Sequence, residues 1–393
     1  MKKLLLIGID TRSMLNSALK LDYDIYSTSY FSTSDTPTIK NQKIILKESD
    51  GESCGIFEES FNSKAILELS QDYIDEVDYI IPISGVSPSD FKKSDRKKIL
   101  GNRDVENIEN KFNFYKEIKD EFLTPMTFCI SDIDEALQIN DNYPDVQFIL
   151  KPLQGSGGYD INLLNNNENI ELNGNKFIMQ EYVTGINVSS SVLASEDESK
   201  TIVNSRLLTM NDFGNENSFI YIGNILPLTD KSIMANVDDI GKVADEMRTT
   251  SENLIDKFSL VGSNGVDYIL NDDGLYVIEV NPRLQGTFEC VERTFGINML
   301  DAHIKACQGQ IIDMPKVKCY TYKKIVYSPT RMKYTPLDLD NIYDLPHVGS
   351  ITEKGEPLLT IIDDDTDFEK LYEKVELTSE IVNEESRKGQ PGA

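Results

Sequence analysis

Apolar positions along the chain follow two rhythms. Over residues 1–104, short apolar runs alternate with helical patterns: strands at residues 3–9, 24–26 and 79–83, with helices near 13–21 and over 58–73. Strands alternating with helices predict a parallel sheet. The strand ends carry small or polar residues, Gly8 with Asp10, Thr11 and Arg12, and Ser84 with Gly85. Ligands of open α/β sheets gather at such ends, so this edge is a candidate for substrate. No GxGxxG follows the first strand, which argues against a dinucleotide site.

From residue 105 to about 312 the pattern changes. A helix over 105–120 carries Lys111, and Thr124 and Pro125 end it. A strand at 126–130, a helix over 131–139 capped by Ser131 with Glu135 nearby, and a strand at 147–151 follow. That strand runs into KPLQGSGGYD, where Gly155, Gly157 and Gly158 surround Ser156. Glycines after a strand let backbone N–H groups approach phosphate oxygens, and Lys151 at the strand end supplies positive charge. The lysine precedes the glycines and no GK[ST] follows, so this is not a Walker A loop. A strand over 176–182 ends in QEYVTG, whose polar and apolar residues suit a purine edge, and residues 187–193 read as another strand.

Residues 265–286, GVDYILNDDGLYVIEVNPRLQG, read as a hairpin. Pairing Asn271 with Leu275 leaves a three-residue loop in which Gly274 supplies a positive φ. That register sets Asp267 opposite Glu279, with Asn281 further along the same face and Tyr268, Leu270, Tyr276, Ile278 and Val280 on the other. Opposed carboxylates repel unless a cation sits between them. Magnesium takes a few carboxylate or amide oxygens alongside phosphates, and Asp267, Glu279 and Asn281 offer that set. A solvent-facing hairpin that is merely acidic satisfies the same pattern.

Composition narrows the class. The 393 residues suggest two or three domains, and 39% hydrophobic with 27% charged residues is ordinary for a globular chain. No apolar run is long enough for a membrane span, and the run over residues 4–9 lacks a cleavage site, so the expected location is the cytoplasm. Five cysteines without a CxxC pair suit reduced thiols. Only His303 and His347 occur, which leaves little for zinc sites or Ser/His/Asp triads. A net charge of −27 argues against nucleic acid and anionic membrane as partners. It also requires any nucleotide site to carry its own lysines and metal.

Residues 313–393 read as a smaller β-rich unit, with turns at Gly349 and Lys354–Gly355 and a disordered end from Glu384. Residues 348–362 resemble half of a biotinyl or lipoyl barrel, without the lysine of a carrier. Asp363–Asp365 is most simply a solvated loop.

The order Lys111, Lys151 with its glycine loop, Gln180–Val183, then Asp267, Glu279 and Asn281 resembles the ATP-grasp superfamily of carboxylate ligases. EVNPRLQG and FGINMLDAHIKACQG are similar to the metal segment and following helix of its biotin-carboxylase and carbamoyl-phosphate-synthase type members. The resemblance implies an α/β (α+β overall) protein: a parallel-sheet preATP-grasp domain over 1–104, an ATP-grasp domain over 105–312 and the small β-rich domain over 313–393. It implies that Lys111 and Lys151 contact the phosphates of ATP and that Gly155, Ser156, Gly157 and Gly158 close over them. Gln180, Glu181, Tyr182 and Val183 then edge the adenine, and Asp267, Glu279 and Asn281 bind Mg2+ or Mn2+. Arg283 would sit at the reacting phosphoryl group, with Lys151 beside it in catalysis. Asn187 stands where many members have a glutamate for the ribose. The implied activity is an ADP-forming ligation of a small carboxylate to an amine through an acyl phosphate. Alternatives are carboxylation through carboxyphosphate or a regulator that binds ATP without turnover, and a homodimer is left open.

Overall fold

The computed structural model describes residues 1–46, 61–155, 157–158, 160–164, 176–214, 218–230, 232–234 and 237–388. Ser156, the start of the expected 58–73 helix and the last five residues lie outside the described residues. The N-terminal strands β1 (Lys2–Gly8), β2 (Tyr23–Ser29), β3 (Asn41–Ile44) and β4 (Tyr79–Pro82) form an all-parallel sheet in the order β3-β2-β1-β4. β1 is central, and residues 4–8 are buried on both faces, as an unbroken apolar run requires. Helices α1 (Arg12–Ala18), α2 (Ser63–Leu69) and α3 (Gln71–Glu76) flank it. The expected 58–73 helix is broken at Ser70, whose Oγ donates to the Ile66 carbonyl at 2.7 Å.

The expected helix over 105–120 is also two pieces, Glu106–Glu109 and α4 (Lys111–Ile118). Asn110 between them is extended, with ψ 105°, and its side chain accepts from Asn113 N. This cap places Lys111 at a helix start, where its own N–H donates to the Leu153 carbonyl at 3.0 Å. Strands β5 (Thr127–Ile130), β6 (Phe148–Pro152), β7 (Asn162–Leu163) and β8 (Phe177–Glu181) make a small antiparallel sheet in the order β5-β8-β6-β7. Its helix α5 (Ile133–Asp141) is capped by Asp132 rather than Ser131. Asp132 accepts from Glu135 N, and Glu135 in turn accepts from Ser131 N.

The largest sheet is antiparallel and carries the rest of the chain. It takes β9 (Ile186–Ala194), β10 (Ser199–Thr209), β11 (Tyr221–Leu226), β12 (Gly262–Asn271), β13 (Gly274–Asn281) and β14 (Tyr320–Tyr327). β15 (Met332–Lys333) and β17 (Ile351–Thr352) pair as a separate ribbon, while β16 (Ile342–Tyr343) and β18 (Pro357–Asp365) rejoin the sheet. Its order is β13-β12-β9-β10-β11-β14-β18-β16, so the C-terminal strands extend the sheet that bears the hairpin. Helix α6 (Ile240–Lys257) covers one face, burying Met247, Leu254 and Ile255 against Val188, Val192 and Val266. Helices α7 (Phe288–Phe295) and α8 (Met299–Cys307) share a core with Leu4 and Leu6 of the parallel sheet and Met14 of α1. Residues 384–388, expected to be disordered, belong to helix α9 (Phe368–Lys388), which packs on β14 and β18.

One side chain ties these parts together. Arg12 is 1% exposed. Its guanidinium donates twice to Glu289 on α7, at 2.9 and 2.7 Å, and once to Asp344 at 2.5 Å, with Asp35 at 3.6 Å. Burial acts to lower the Arg12 pKa, but the Asp344 and Glu289 carboxylates outweigh it and raise it. Arg12 therefore stays charged.

Candidate active site

The hairpin reaches the expected pairing by another route. Asn271 pairs with Gly274, leaving a two-residue loop of Asp272 and Asp273, and Gly274 takes φ 139°. A bulge between Asp267 and Tyr268 then makes Ile278 the extra residue, which restores Asp267 opposite Glu279. The bulge swaps faces on the turn side. Leu275 and Val277, not Tyr276 and Ile278, join Tyr268 and Leu270 in the core, and Ile278 lines a cleft.

That cleft, of about 400 Å3, lies between the small and the large antiparallel sheets. Every described residue that the resemblance nominated for nucleotide, metal or catalysis lines it: Lys111, Lys151, Gly155, Gly157, Gly158, Gln180, Glu181, Tyr182, Val183, Asn187, Asp267, Glu279, Asn281 and Arg283. Of the parallel-sheet edge expected to meet substrate, Ser84 lines the cleft, whereas Gly8, Asp10, Thr11, Arg12 and Gly85 do not. Asp267 accepts from Ser189 Oγ at 2.6 Å and from Asn281 Nδ2 at 2.9 Å. Asn281 Nδ2 also reaches Glu279 Oε1 at 3.4 Å. Lys111 Nζ donates to Glu279 Oε2 at 2.6 Å and to the Gly155 carbonyl at 3.2 Å. Arg283 donates to Asn281 Oδ1 at 3.2 Å and to Ser84 Oγ, at the end of the parallel sheet, at 3.3 Å.

Burial and neighbouring charge set the protonation states. Burial pushes the Asp267 carboxyl well above the usual range, and the charge of Glu279 adds to it. For Glu279 burial acts upward too, but Lys111, then Lys151 and Arg283, outweigh it and hold the group down, at about 2. Lys151, 4% exposed, is pushed down to about 7 by burial and by the Lys111 ammonium, against the pull of Glu279. The site already draws one cation, Lys111, against its carboxylates. Two carboxylates and an amide on adjacent strands fit a hard divalent cation that completes its shell with phosphate and water.

The end of the cleft that the resemblance assigns to the purine is built from β8. Gln180 donates to Thr127 Oγ1 at 2.8 Å, and Glu181 accepts from Met126 N at 3.0 Å, so both side chains brace the strand. The glycine loop is docked on β11: Gly157 accepts from Tyr221 N at 3.0 Å, and Gly158 has φ 77°. Sequence reasoning missed the floor beside Arg283. Ser191 Oγ donates to Gln285 Oε1 at 2.9 Å and lies 3.3 Å from Thr287, while Tyr221 hydrogen-bonds Asn224. The alternation Asn187, Ser189, Ser191 against Val188 and Val192 was the signal that could have found it.

Residues 108–287 match the ATP-grasp domain family. The chain carries an ATP-grasp domain. The match begins just before Lys111 and ends at Thr287, so it takes in both cleft-forming sheets through β13. Over 369 residues, 92% of this chain and 88% of the relative, the sequence is 28% identical to an uncharacterised protein of Methanocaldococcus jannaschii. It is 25% identical to that organism's tyramine–L-glutamate ligase over 179 residues, 45% of this chain and 44% of the ligase. In fold, N5-carboxyaminoimidazole ribonucleotide synthetase from Thermotoga maritima superposes with a TM-score of 0.70 at 15% identity, covering 97% of this chain and 98% of that one. The likeness to that structure extends the common fold beyond the ATP-grasp domain to both ends of the chain. No described helix is long and apolar enough to cross a membrane.

Proposed function

We propose that the protein is an ADP-forming ligase that joins a small carboxylate to an amine through an acyl phosphate. The observation that carries this reading is the arrangement around one cleft: Asp267, Glu279 and Asn281 adjoin Lys111, Lys151 and Arg283, and the floor beside Arg283 is neutral. That floor, formed by Ser189, Gln285, Thr287 and Tyr221, holds among the described residues no carboxylate or histidine of its own to activate a nucleophile. A carboxylate acceptor needs no such base, because its oxygen attacks phosphorus once it is positioned and its charge is offset. Asp267, Glu279 and Asn281 would hold Mg2+ or Mn2+, which supplies charge neutralisation on the phosphates when bound. Lys111 leaves Glu279 for phosphate, Lys151 regains its proton beside the same phosphates, and the glycine loop covers them. Backbone groups at Tyr182 and Val183 edge the adenine, and Asn187 faces the ribose. Arg283 offsets the charge that develops on the transferred phosphoryl group.

The division at 104/105 and 312/313 and a cytoplasmic location belong to the same proposal. The tyramine–L-glutamate ligase relative supports an amine as the second substrate. A second reading, carboxylation of an amine through carboxyphosphate, is favoured by the fold shared with the carboxyaminoimidazole synthetase. It requires ATP turnover to depend on bicarbonate. Isotope tracing tests the first reading: an acceptor carboxylate labelled with heavy oxygen should pass one label to inorganic phosphate. Unlabelled phosphate, or ATP cleavage to AMP, overturns it.

A further inference from the structure

We infer that Lys323 selects the acceptor, holding a second anionic group of a small molecule whose reacting carboxylate lies at Arg283, so that the acceptor is a dianion of the short dicarboxylate class. This deepens the ligase reading and rests on it. Leu207 pairs with Asn224 across β10 and β11, and Asn224 pairs with Lys323 across β11 and β14. Paired residues share a sheet face, and Leu207 and Asn224 line the cleft, so Lys323 lies on the cleft face one strand further out. Its Nζ donates to the carbonyl of Gly286, itself a cleft residue, at 3.1 Å.

The next residue gives the contrast. Lys324 points to the opposite face and pairs with Glu376 at 2.6 Å. Among the described residues no carboxylate lies within 4 Å of Lys323 Nζ, and Asp344 acts on it only from further away. In a chain of net charge −27, a half-buried ammonium whose hydrogen-bond partner is a neutral carbonyl at the cleft is ready for an anion. The neutral floor of Gln285, Thr287 and Asn224 does not repel one. Arg283 and Gly286 are three residues apart, a reach of at most about 11 Å. Two anionic groups held along so short a loop fit one small molecule.

The test measures equilibrium binding of malonate, succinate, glutarate and adipate, and of their half-amides, to the full chain with Mg2+ and a non-hydrolysable ATP analogue. At least one dianion should bind roughly tenfold more tightly than its half-amide. Lys323→Gln should erase that preference and Lys323→Arg should keep it, with the affinity for the ATP analogue unchanged in both. No preference for any dianion, or a preference that survives Lys323→Gln, overturns the inference. Phosphate release with monocarboxylates alone would retain the ligase reading while removing this one. A dianion preference erased by Lys323→Gln, without phosphate release from any acceptor, would overturn the ligase reading and with it the acceptor role of Lys323.

Discussion

At the scale of single residues, the face proposed to bind metal is held together in this structure by Lys111. The two opposed carboxylates, taken alone, make Glu279→Gln a relief of repulsion that holds or raises the stability of the metal-free protein. With Lys111 Nζ 2.6 Å from Glu279, the same change strands two ammonium groups, Lys111 and the buried Lys151. Glu279→Gln should therefore lower the melting temperature of the metal-free protein. Asp267→Asn should hold or raise it, because the carboxylate removed is the one that burial and Glu279 disfavour. Each pKa unit of such a shift corresponds to about 1.4 kcal/mol. Thermal denaturation in chelator separates the two, and a stabilised Glu279→Gln would mean that Lys111 does not serve that carboxylate.

Lys151 gives a pH signature. Its folded pKa of about 7 is below the ordinary 10.5, so the unfolded chain binds more protons between those values. The contribution of Lys151 to stability thus rises with pH across that window. Phosphate beside Lys151 restores the charge, so ATP binding should take up a proton at pH 8 to 9, and affinity should fall as pH rises above about 7. Calorimetry in two buffers of different ionisation enthalpy measures the uptake. Lys151→Met should abolish it and weaken ATP.

At the scale of elements, the glycine loop depends on its fit to β11. A Cβ at Gly158 would lie 1.9 Å from the Phe219 carbonyl oxygen, and φ 77° disfavours any side chain. Gly158→Ala should lift the loop from β11 and weaken ATP at least tenfold by direct binding, with little change in the melting temperature. The hairpin shows what a sequence can and cannot tell. Alternation located Asp267 and Glu279 opposite one another, but a turn one residue shorter and a bulge at Ile278 produce that pairing, and nothing in YVIEV marks the bulge. Capping likewise escaped: Asn110 and Ser70 break patterns that read as continuous helices, because a short side chain bonding the backbone leaves no gap in the apolar rhythm. Lys151, Asn281 and Arg283 could be nominated because each is adjacent to a strand end or glycine loop, whereas Lys111, inside an expected helix, was nominated only through the resemblance to the ATP-grasp superfamily. Lys323 was not, since its place is set by pairing with a strand about a hundred residues earlier.

At the scale of the whole molecule, Arg12 joins the parallel sheet, α7 and the turn at Asp344. Removing one partner of a buried ion pair leaves the others uncompensated, at about 3–5 kcal/mol. Asp344 and Asp35 are partly open to water, so Arg12→Met should fall near the lower end, read as the shift in denaturant midpoint. A smaller effect on stability with a large one on turnover would instead make Arg12 a positioning group for the loop that carries Arg283 and Gln285.

The shared sheet has a consequence for where the chain can be divided. β14 enters the large sheet between β11 and β18, so the last strands seal a backbone that the ATP-grasp segment by itself would leave bare. A protein cut at residue 312 would present β11 as a naked edge, with Tyr221–Leu226 offering unpaired N–H and C=O groups to any passing strand. Such edges recruit copies of themselves. The portion of the chain that matches the ATP-grasp domain is thus kept from self-association by the portion that presents Lys323, and truncation would damage solubility before it reached chemistry.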